Sequence, residues 1–549
     1  MPFPWARTPQ FRAGVAPTPD PPGCRMGWKT GLREAVRMTT NRGRKTLLLA
    51  LSAAAVAGAA LTGGAGAASA SASGAGAGLV WGDCAPALRP LPGQQCAMLS
   101  VPLDYARPDG EQIQLAVSRL ASARPEVRRG TLMVIPGGPG SSGVQRLAQK
   151  GAALAKEMDG AYDLVAFDPR GIGGSAKARC GLDEGDRWMM TLRSWPGADG
   201  GIEENVARSK RIAEACARNG GAMLRGLTTA NQVRDMDRLR QALGERKLSA
   251  WSVSYGTYVA ASYAEKYPHR TDRWVLDSSN DPDPKRVARG WLEGMARGAE
   301  DRFPDFAAWA AHPDRADQGL RLAERPEDVR AVVLDLAARL DREPHASVLP
   351  GAPGAPVTAG PPLTGSMLLQ ALQLALYSDG SFPSFAQLVT EARDPKGEPV
   401  LPRELAGAMP DDAAAITVGV ICNDVNWPAS VPAYERAVAK DRARNPLTAG
   451  MPANITPCSF WKGGAAEKPV RITDRGPSNI LMIQNLRDPS TPYSNGLRMR
   501  AALGERARLV SVDHGGHGVY LGNGNACGDA AVTRYLTQGV RPSEDVLCR

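Results

Sequence analysis

The sequence predicts an α/β fold built on a mostly parallel, doubly wound sheet. Three observations predict it. Strand-like runs start at Gln112 (Ile113, Leu115, Val117) and continue as Thr131–Ile135, Asp163–Phe167, Ser249–Val253 and Arg273–Asp277. Helical patterns lie between them, clearest in Asn231–Leu243, where Val233, Met236, Leu239 and Leu243 recur at helical spacing. Two further strand-like runs, Asn479–Asn485 and Arg508–Val512, close the chain. The ligands of such a sheet gather at the C-terminal edge of its strands.

The most informative element is the apolar run Leu248–Val253, which stops at Ser254 and gives way to a helical pattern from Tyr255 to Pro268. Strand, sharp turn and helix with a serine at the apex form a nucleophile elbow, which pushes the hydroxyl out of the sheet. The usual pattern is Gly-x-Ser-x-Gly, and Ser252 replaces its first glycine. A second glycine-rich turn, Pro136-Gly-Gly-Pro-Gly-Ser-Ser-Gly143, follows the strand Thr131–Ile135. Its bare backbone can supply an N–H to an oxyanion, beside the N–H of the residue after the nucleophile. It lacks the Gly-Lys-Ser/Thr ending of a phosphate loop.

The late strands lead to the other chemical groups. Asn479–Asn485 is followed by Asp488, and Arg508–Val512 by Asp-His514-Gly-Gly-His517-Gly. Serine, acid and histidine in this order match the triad of the α/β-hydrolase fold. Serine needs a base, imidazole is close to neutral at pH 7, and a buried carboxylate fixes its tautomer. Of the five histidines, two fall in this loop. His517, between Gly516 and Gly518, is the expected base, with His514 as a neighbouring or surface histidine. Asp488 is the expected acid, with Asp277 as the alternative at the end of an earlier strand.

Together, Gly137-Gly-Pro-Gly140, Phe167-Asp-Pro-Arg-Gly-Ile-Gly-Gly-Ser175, Ser252-Val-Ser-Tyr-Gly256, Val275-Leu-Asp277, Asp488-Pro-Ser-Thr-Pro492 and Gly516-His-Gly518 resemble the secreted tripeptidyl aminopeptidases. These are α/β-hydrolase serine peptidases related to the proline iminopeptidases. The resemblance spans most of the chain from about Leu79 to Arg549. It implies an exopeptidase that releases short peptides from free N-termini, with Ser254 as nucleophile, Asp488 as orienting acid and His517 as base. It also implies oxyanion donors at the N–H groups of Gly138 and Tyr255. Pro136 stands where proline iminopeptidases carry a histidine, which favours the tripeptidyl branch.

From about Asn280 to Asp412 the strand signal fades, and Trp291–Phe303, Phe306–Ala311, Pro326–Leu340, Met367–Tyr377 and Phe385–Ala392 read as helices around a flexible Pro350–Thr364 stretch. The expected organisation is a leader over 1–72, a first catalytic segment over 73–280, a helical cap over 281–412 and a second catalytic segment over 413–549. Ala413–Asn423 is expected to resume the sheet pattern. A cap closes the cleft beyond a few residues, as an exopeptidase requires. An aminopeptidase also needs acids for the substrate's charged amine. Asp281, Asp283, Glu293, Glu300, Asp379 and Asp424 are candidates among which the sequence does not choose.

Composition and charge agree with export. The formal charge is +10, but residues 1–37 hold six Lys/Arg against two acids and residues 38–72 three against none, leaving +3 for the rest. Nucleic acid is therefore not an expected partner. Asn41-Arg-Gly-Arg-Lys45, the apolar Thr46–Leu61 and the small-residue sites Ala68-Ser-Ala70 and Ala70-Ser-Ala72 read as a signal peptide, whose removal leaves a secreted protein with no stable membrane association. Met38 starts a better-formed signal than Met1 does, and a pro-segment near Gly74–Gly78 stays open. Apart from Cys24 in the leader, eight cysteines remain, and an even count in an exported chain points to disulfides. Sequential neighbours are expected to pair: Cys84–Cys96, Cys180–Cys216, Cys422–Cys458 and Cys527–Cys548, each closing a surface loop. Neither Cys-x-x-Cys nor His-Glu-x-x-His occurs, so no metal or other cofactor is expected. Two rival functions remain: an esterase or lipase on the same triad, since a triad does not distinguish amide from ester, and a binding protein on an inactive hydrolase scaffold.

Overall fold

Two runs in which all six residues are buried, Gly130–Ile135 and Leu248–Val253, lie side by side at the centre of this computed structural model, which describes residues 78–549 except 284, 286 and 352–355. The strands are β1 (Gly82–Asp83), β2 (Gln94–Pro102), β3 (Gln112–Leu120), β4 (Gly130–Ile135), β5 (Tyr162–Phe167), β6 (Leu248–Val253), β7 (Thr271–Asp277), β8 (Val348–Leu349), β9 (Thr358–Ala359), β10 (Ile480–Arg487), β11 (Ala507–Gly515) and β12 (Val546–Cys548). Ten of them form one sheet in the order β1-β2-β3-β5-β4-β6-β7-β10-β11-β12. From β5 to β12 every neighbouring pair is parallel, while β1, β2 and β3 add an antiparallel edge. The order reverses at β4, with β5 on one side and β6 on the other, which opens a crevice at the C-terminal strand ends.

The helices are α1 (Gly143–Met158), α2 (Met189–Leu192), α3 (Glu203–Asn219), α4 (Gly221–Arg225), α5 (Thr229–Ala242), α6 (Tyr255–Lys266), α7 (Val287–Ala311), α8 (Pro326–Arg342), α9 (Gly365–Ala375), α10 (Phe382–Arg393), α11 (Asp411–Asp424), α12 (Val431–Arg444), α13 (Tyr493–Leu503) and α14 (Ala526–Gln538). Successive strand residues face opposite sides, so both faces of the sheet are apolar. Leu132 and Val134 of β4 meet Leu147 and Leu154 of α1 and share a core with Val532 and Leu536 of α14. Met133 and Ile135 face the opposite core, with Val233 and Met236 of α5, Tyr258 of α6 and Met499 of α13.

A separate core joins α7, α8, α9 and α10, with Phe306 edge-on to Phe303, Phe382 and Phe385. It also takes in Trp195, Leu447 and Met451, so chain from outside 281–412 packs into the helical unit. The expected helices Trp291–Phe303 and Phe306–Ala311 are a single helix that runs through Pro304. The Pro350–Thr364 stretch is flanked and partly occupied by the β8–β9 pair.

Two expectations need correction. Ala413–Asn423 is not a strand but helix α11, and β2 is a full strand that the sequence reading passed over. Helix α11 is apolar on several sides because it packs into the sheet core, and a continuous apolar run has no period to separate helix from strand. Its first turn carries Asp411, whose carboxylate accepts the N–H groups of Cys180, Gly181 and Leu182.

All four expected disulfides form: Cys84–Cys96, Cys180–Cys216, Cys422–Cys458 and Cys527–Cys548. Two of them are not surface staples, since Cys180, Cys216, Cys422 and Cys458 are buried in the sheet core, whereas Cys96 is half-buried and Cys527 is exposed. Among the described residues no helix is long and apolar enough to cross a membrane. The leader, its cleavage sites and Cys24 lie outside the described residues.

Candidate active site

Strand β6 ends at Val253, and Ser254 turns the chain into α6 with φ 61° and ψ −130°. A non-glycine residue in that region carries strain of about 1–3 kcal/mol and needs outside support. The Ser254 N–H donates to the Asp277 carbonyl at 3.0 Å, and Thr257 donates from its N–H and its hydroxyl to the Ser254 carbonyl at 2.9 and 2.6 Å. Neighbouring backbone closes tightly around this turn. A Cβ on Gly256 would collide with the Pro136 carbonyl, and one on Gly137 would stand 2.8 Å from Ser254 Cβ. Ser252 fits the usual glycine position because its buried hydroxyl donates to the Val275 carbonyl of β7 at 2.8 Å.

The glycine-rich turn thus lies against Ser254, with Gly137 at the closest approach and Gly138 following at φ +112°. Tyr255 opens α6, so its N–H belongs to the unsatisfied first turn of that helix. Its phenol points away from the turn and pairs with Thr229 Oγ1 at 2.6 Å, and Thr229 in turn donates to Asp424 at 2.5 Å. Burial pushes the Asp424 carboxyl up to about 6, against the pull of the Thr229 hydroxyl and N–H.

His517 Nδ1 lies 3.0 Å from both carboxylate oxygens of Asp488. A carboxylate only accepts, so Nδ1 carries the proton and Nε2 is left with a lone pair. Asp488 is fully buried and saturated: Oδ1 accepts the N–H groups of Ser490 and Thr491 at 2.9 Å each, and Oδ2 accepts the Thr491 hydroxyl at 3.0 Å. The histidine is gripped from the helical unit as well. Its N–H donates to the Tyr377 carbonyl at 2.9 Å, and its ring meets the Tyr377 ring edge-on with centroids 5.1 Å apart. The Tyr377 hydroxyl donates to Ser490 Oγ at 2.9 Å.

Asp277 serves the site differently from a triad acid. Its carboxylate is buried and accepts the N–H groups of Val519 and Tyr520 at 2.9 Å each, two and three residues beyond the histidine. Burial raises its carboxyl above the ordinary range. The next residue, Ser278, accepts the Gly518 N–H at 3.0 Å. Asp277 and Ser278 therefore tie the serine turn to the histidine loop. His514 stays outside this arrangement, its ring nitrogens 2.6 Å from the Gly515 carbonyl and 3.7 Å from Asp379.

Most candidate amine ligands are engaged elsewhere. Asp281 pairs with Arg498 at 3.2 Å, Glu300 with Arg330 at 2.7 Å, Asp379 with Arg302, and Asp424 with Thr229. Glu293 lies 3.6 Å from Arg289. Asp283 accepts the Lys285 N–H at 2.9 Å. A cavity of about 170 Å³ opens from Gly138 and Pro139 toward Trp291, Arg193, Ile421 and Met451. Sequence reasoning missed both this cavity and Tyr377, which have no local motif.

The family described as "TAP-like protein" matches residues 445–548, the stretch that holds Asp488 and His517. The tripeptidyl aminopeptidase of Streptomyces lividans is 31% identical over 85% of this chain and 86% of its own. Serine protease Hip1 of Mycobacterium tuberculosis is 28% identical over 83% and 87%, and a carboxylesterase B of the same organism is 30% identical over 83% and 86%. Among solved structures, a proline iminopeptidase of Mycobacterium smegmatis aligns over 80% of this chain and 98% of its own, at 15% identity and a TM-score of 0.34. With that similarity to the Streptomyces enzyme running through most of both chains, the protein belongs to the tripeptidyl aminopeptidase family and is a serine peptidase of the α/β-hydrolase fold.

Proposed function

We propose that the protein is a secreted exopeptidase that releases tripeptides from free N-termini through an acyl-enzyme on Ser254. The observation that carries this reading is the saturated, buried Asp488 paired with His517 at 3.0 Å, joined through Asp277 and Ser278 to a strained Ser254. His517 Nε2 takes the Ser254 proton as Oγ attacks the scissile carbonyl, and Asp488 stabilises the imidazolium. The N–H groups of Gly138 and Tyr255 receive the oxyanion, His517 returns the proton to the leaving amine, and water then releases the acyl group by the same base. The helical unit, reaching the histidine through Tyr377, acts as a cap that limits how much chain can enter. The signal-like segment and four disulfides support export.

Hydrolysis of Ala-Pro-Ala-type anilides with and without an N-acetyl group, beside a short-chain nitrophenyl ester, tests the reading. Cleavage of the free-amine peptides alone is the expected result. Equal cleavage of blocked peptides would overturn it. Activity confined to the ester would favour the second reading, an esterase, for which the carboxylesterase B relative speaks.

A further inference from the structure

Arg193 follows α2 and borders the cavity beside the catalytic turn. Its guanidinium carbon lies 5.4 Å from the centre of the Trp291 indole, and Nη1 lies 3.7 Å from Met295 Sδ. No carboxylate among the described residues pairs with it. The other cavity walls include Leu292, Val418, Ile421 and Met451, and no Asp or Glu lines it. This sets Arg193 apart from the most buried arginines. Arg170 pairs with Asp235, Arg302 with Asp305 and Asp379, and Arg506 with Glu265. A half-buried cation facing an apolar enclosure is poorly solvated, and a guanidinium fork matches a carboxylate in geometry and charge.

The cavity is also coupled to the catalytic groups. At one end Gly138 follows the residue packed on Ser254. At the other, the Trp291 indole N–H donates to Ser490 Oγ at 3.4 Å, and the Ser490 N–H donates to Asp488. A group that entered here would lie between the glycine-rich turn and the acid loop.

We infer that Arg193 binds a carboxylate of the peptide substrate in this cavity, with the apolar walls taking the methylenes that carry it. The carboxylate comes either from an acidic side chain near the scissile bond or from the free C-terminus of a short peptide. This inference rests on the peptidase reading and adds to it a preference for anionic substrates.

The test compares kcat/KM for matched free-amine peptides in the wild-type protein and in Arg193→Met, which keeps an unbranched stem and removes the guanidinium charge. One set exchanges Glu for Gln at each of the three N-terminal positions, and the other exchanges a C-terminal acid for its amide in tetrapeptides. Within each protein only the ratio of charged to neutral member is read, and circular dichroism checks that Arg193→Met is folded. The expected result is a preference of about tenfold or more for one charged member in the wild type, falling to about one in the variant. The pair that responds identifies the source of the carboxylate. Equal rates within every pair, or a preference that survives in Arg193→Met, would overturn the inference and leave the peptidase reading standing. If the wild type cleaves no peptide but hydrolyses the nitrophenyl ester, both readings fall.

Discussion

The main-chain carbonyl of Asp277 accepts the N–H of Ser254 at 3.0 Å, so the residue that shapes the serine turn is the one whose carboxylate holds the loop after His517. Ser254 and His517 lie 263 positions apart in the chain yet share this support from β7. A shift of Asp277 would displace both.

Replacing Asp277 should therefore act on turnover more than on binding. Asp277→Asn keeps one acceptor for two N–H groups, and Asp277→Ala leaves both buried donors unpaired, at a cost of about 1–3 kcal/mol each. The expected outcome is a kcat loss of about tenfold for Asn and more for Ala, with KM nearly unchanged, measured by steady-state kinetics alongside melting temperatures. A change in KM alone would assign Asp277 to substrate binding.

Ser254→Ala should reduce turnover by about a thousandfold or more while leaving the melting profile intact, since the proposed acyl-enzyme requires its hydroxyl. His517→Ala should lose a comparable amount. His514→Ala should be mild, because its ring lies against the Gly515 carbonyl and Asp379 and not against Asp488. Full activity in Ser254→Ala would disprove the nucleophile assignment.

At Gly137 the smallest possible addition is informative. The new methyl of Gly137→Ala would stand 2.8 Å from Ser254 Cβ and 3.0 Å from the Val253 carbonyl. Such contacts displace the serine turn, and small misplacements at a reacting atom cost large rate factors. A fall in kcat of about a hundredfold is expected, with the protein still folded by circular dichroism.

Asp424 gives a pH dependence of stability with a definite sign. Its carboxyl is pushed up to about 6 by burial, above the value it has in an unfolded chain. Between about pH 4 and 6 the folded protein therefore binds the extra proton, and this contribution to stability is lost as pH rises through that window. Asp424→Asn mimics the protonated side chain. Melting temperatures of the two proteins should converge near pH 4, with the variant the more stable at pH 7. A wild-type advantage at pH 7 would show that the ionised carboxylate is what the Thr229 contacts require.

The catalytic candidates were legible because each is announced locally. Ser254 stands between a strand run and a helix run, His517 between two glycines that adopt φ +98° and +85°, and Asp488 just after a buried strand. Helix α11 was misread for lack of such a signal, since a segment apolar on several sides shows neither period. Strand β2 was passed over because it opens with two glutamines and alternates buried and exposed positions only from Ala97 onward.

By itself the sequence determined the fold class and the serine, acid and histidine to test, because period, turn chemistry and chain order are local properties. Only the tertiary structure decided that Asp277 supports both the serine turn and the histidine loop, that Tyr377 grips the histidine from the helical unit, and that Arg193 faces an apolar cavity without an acidic partner among the described residues. These are relations between residues tens to hundreds of positions apart. The folded packing fixes such distances, and no pattern within a short window of sequence records them.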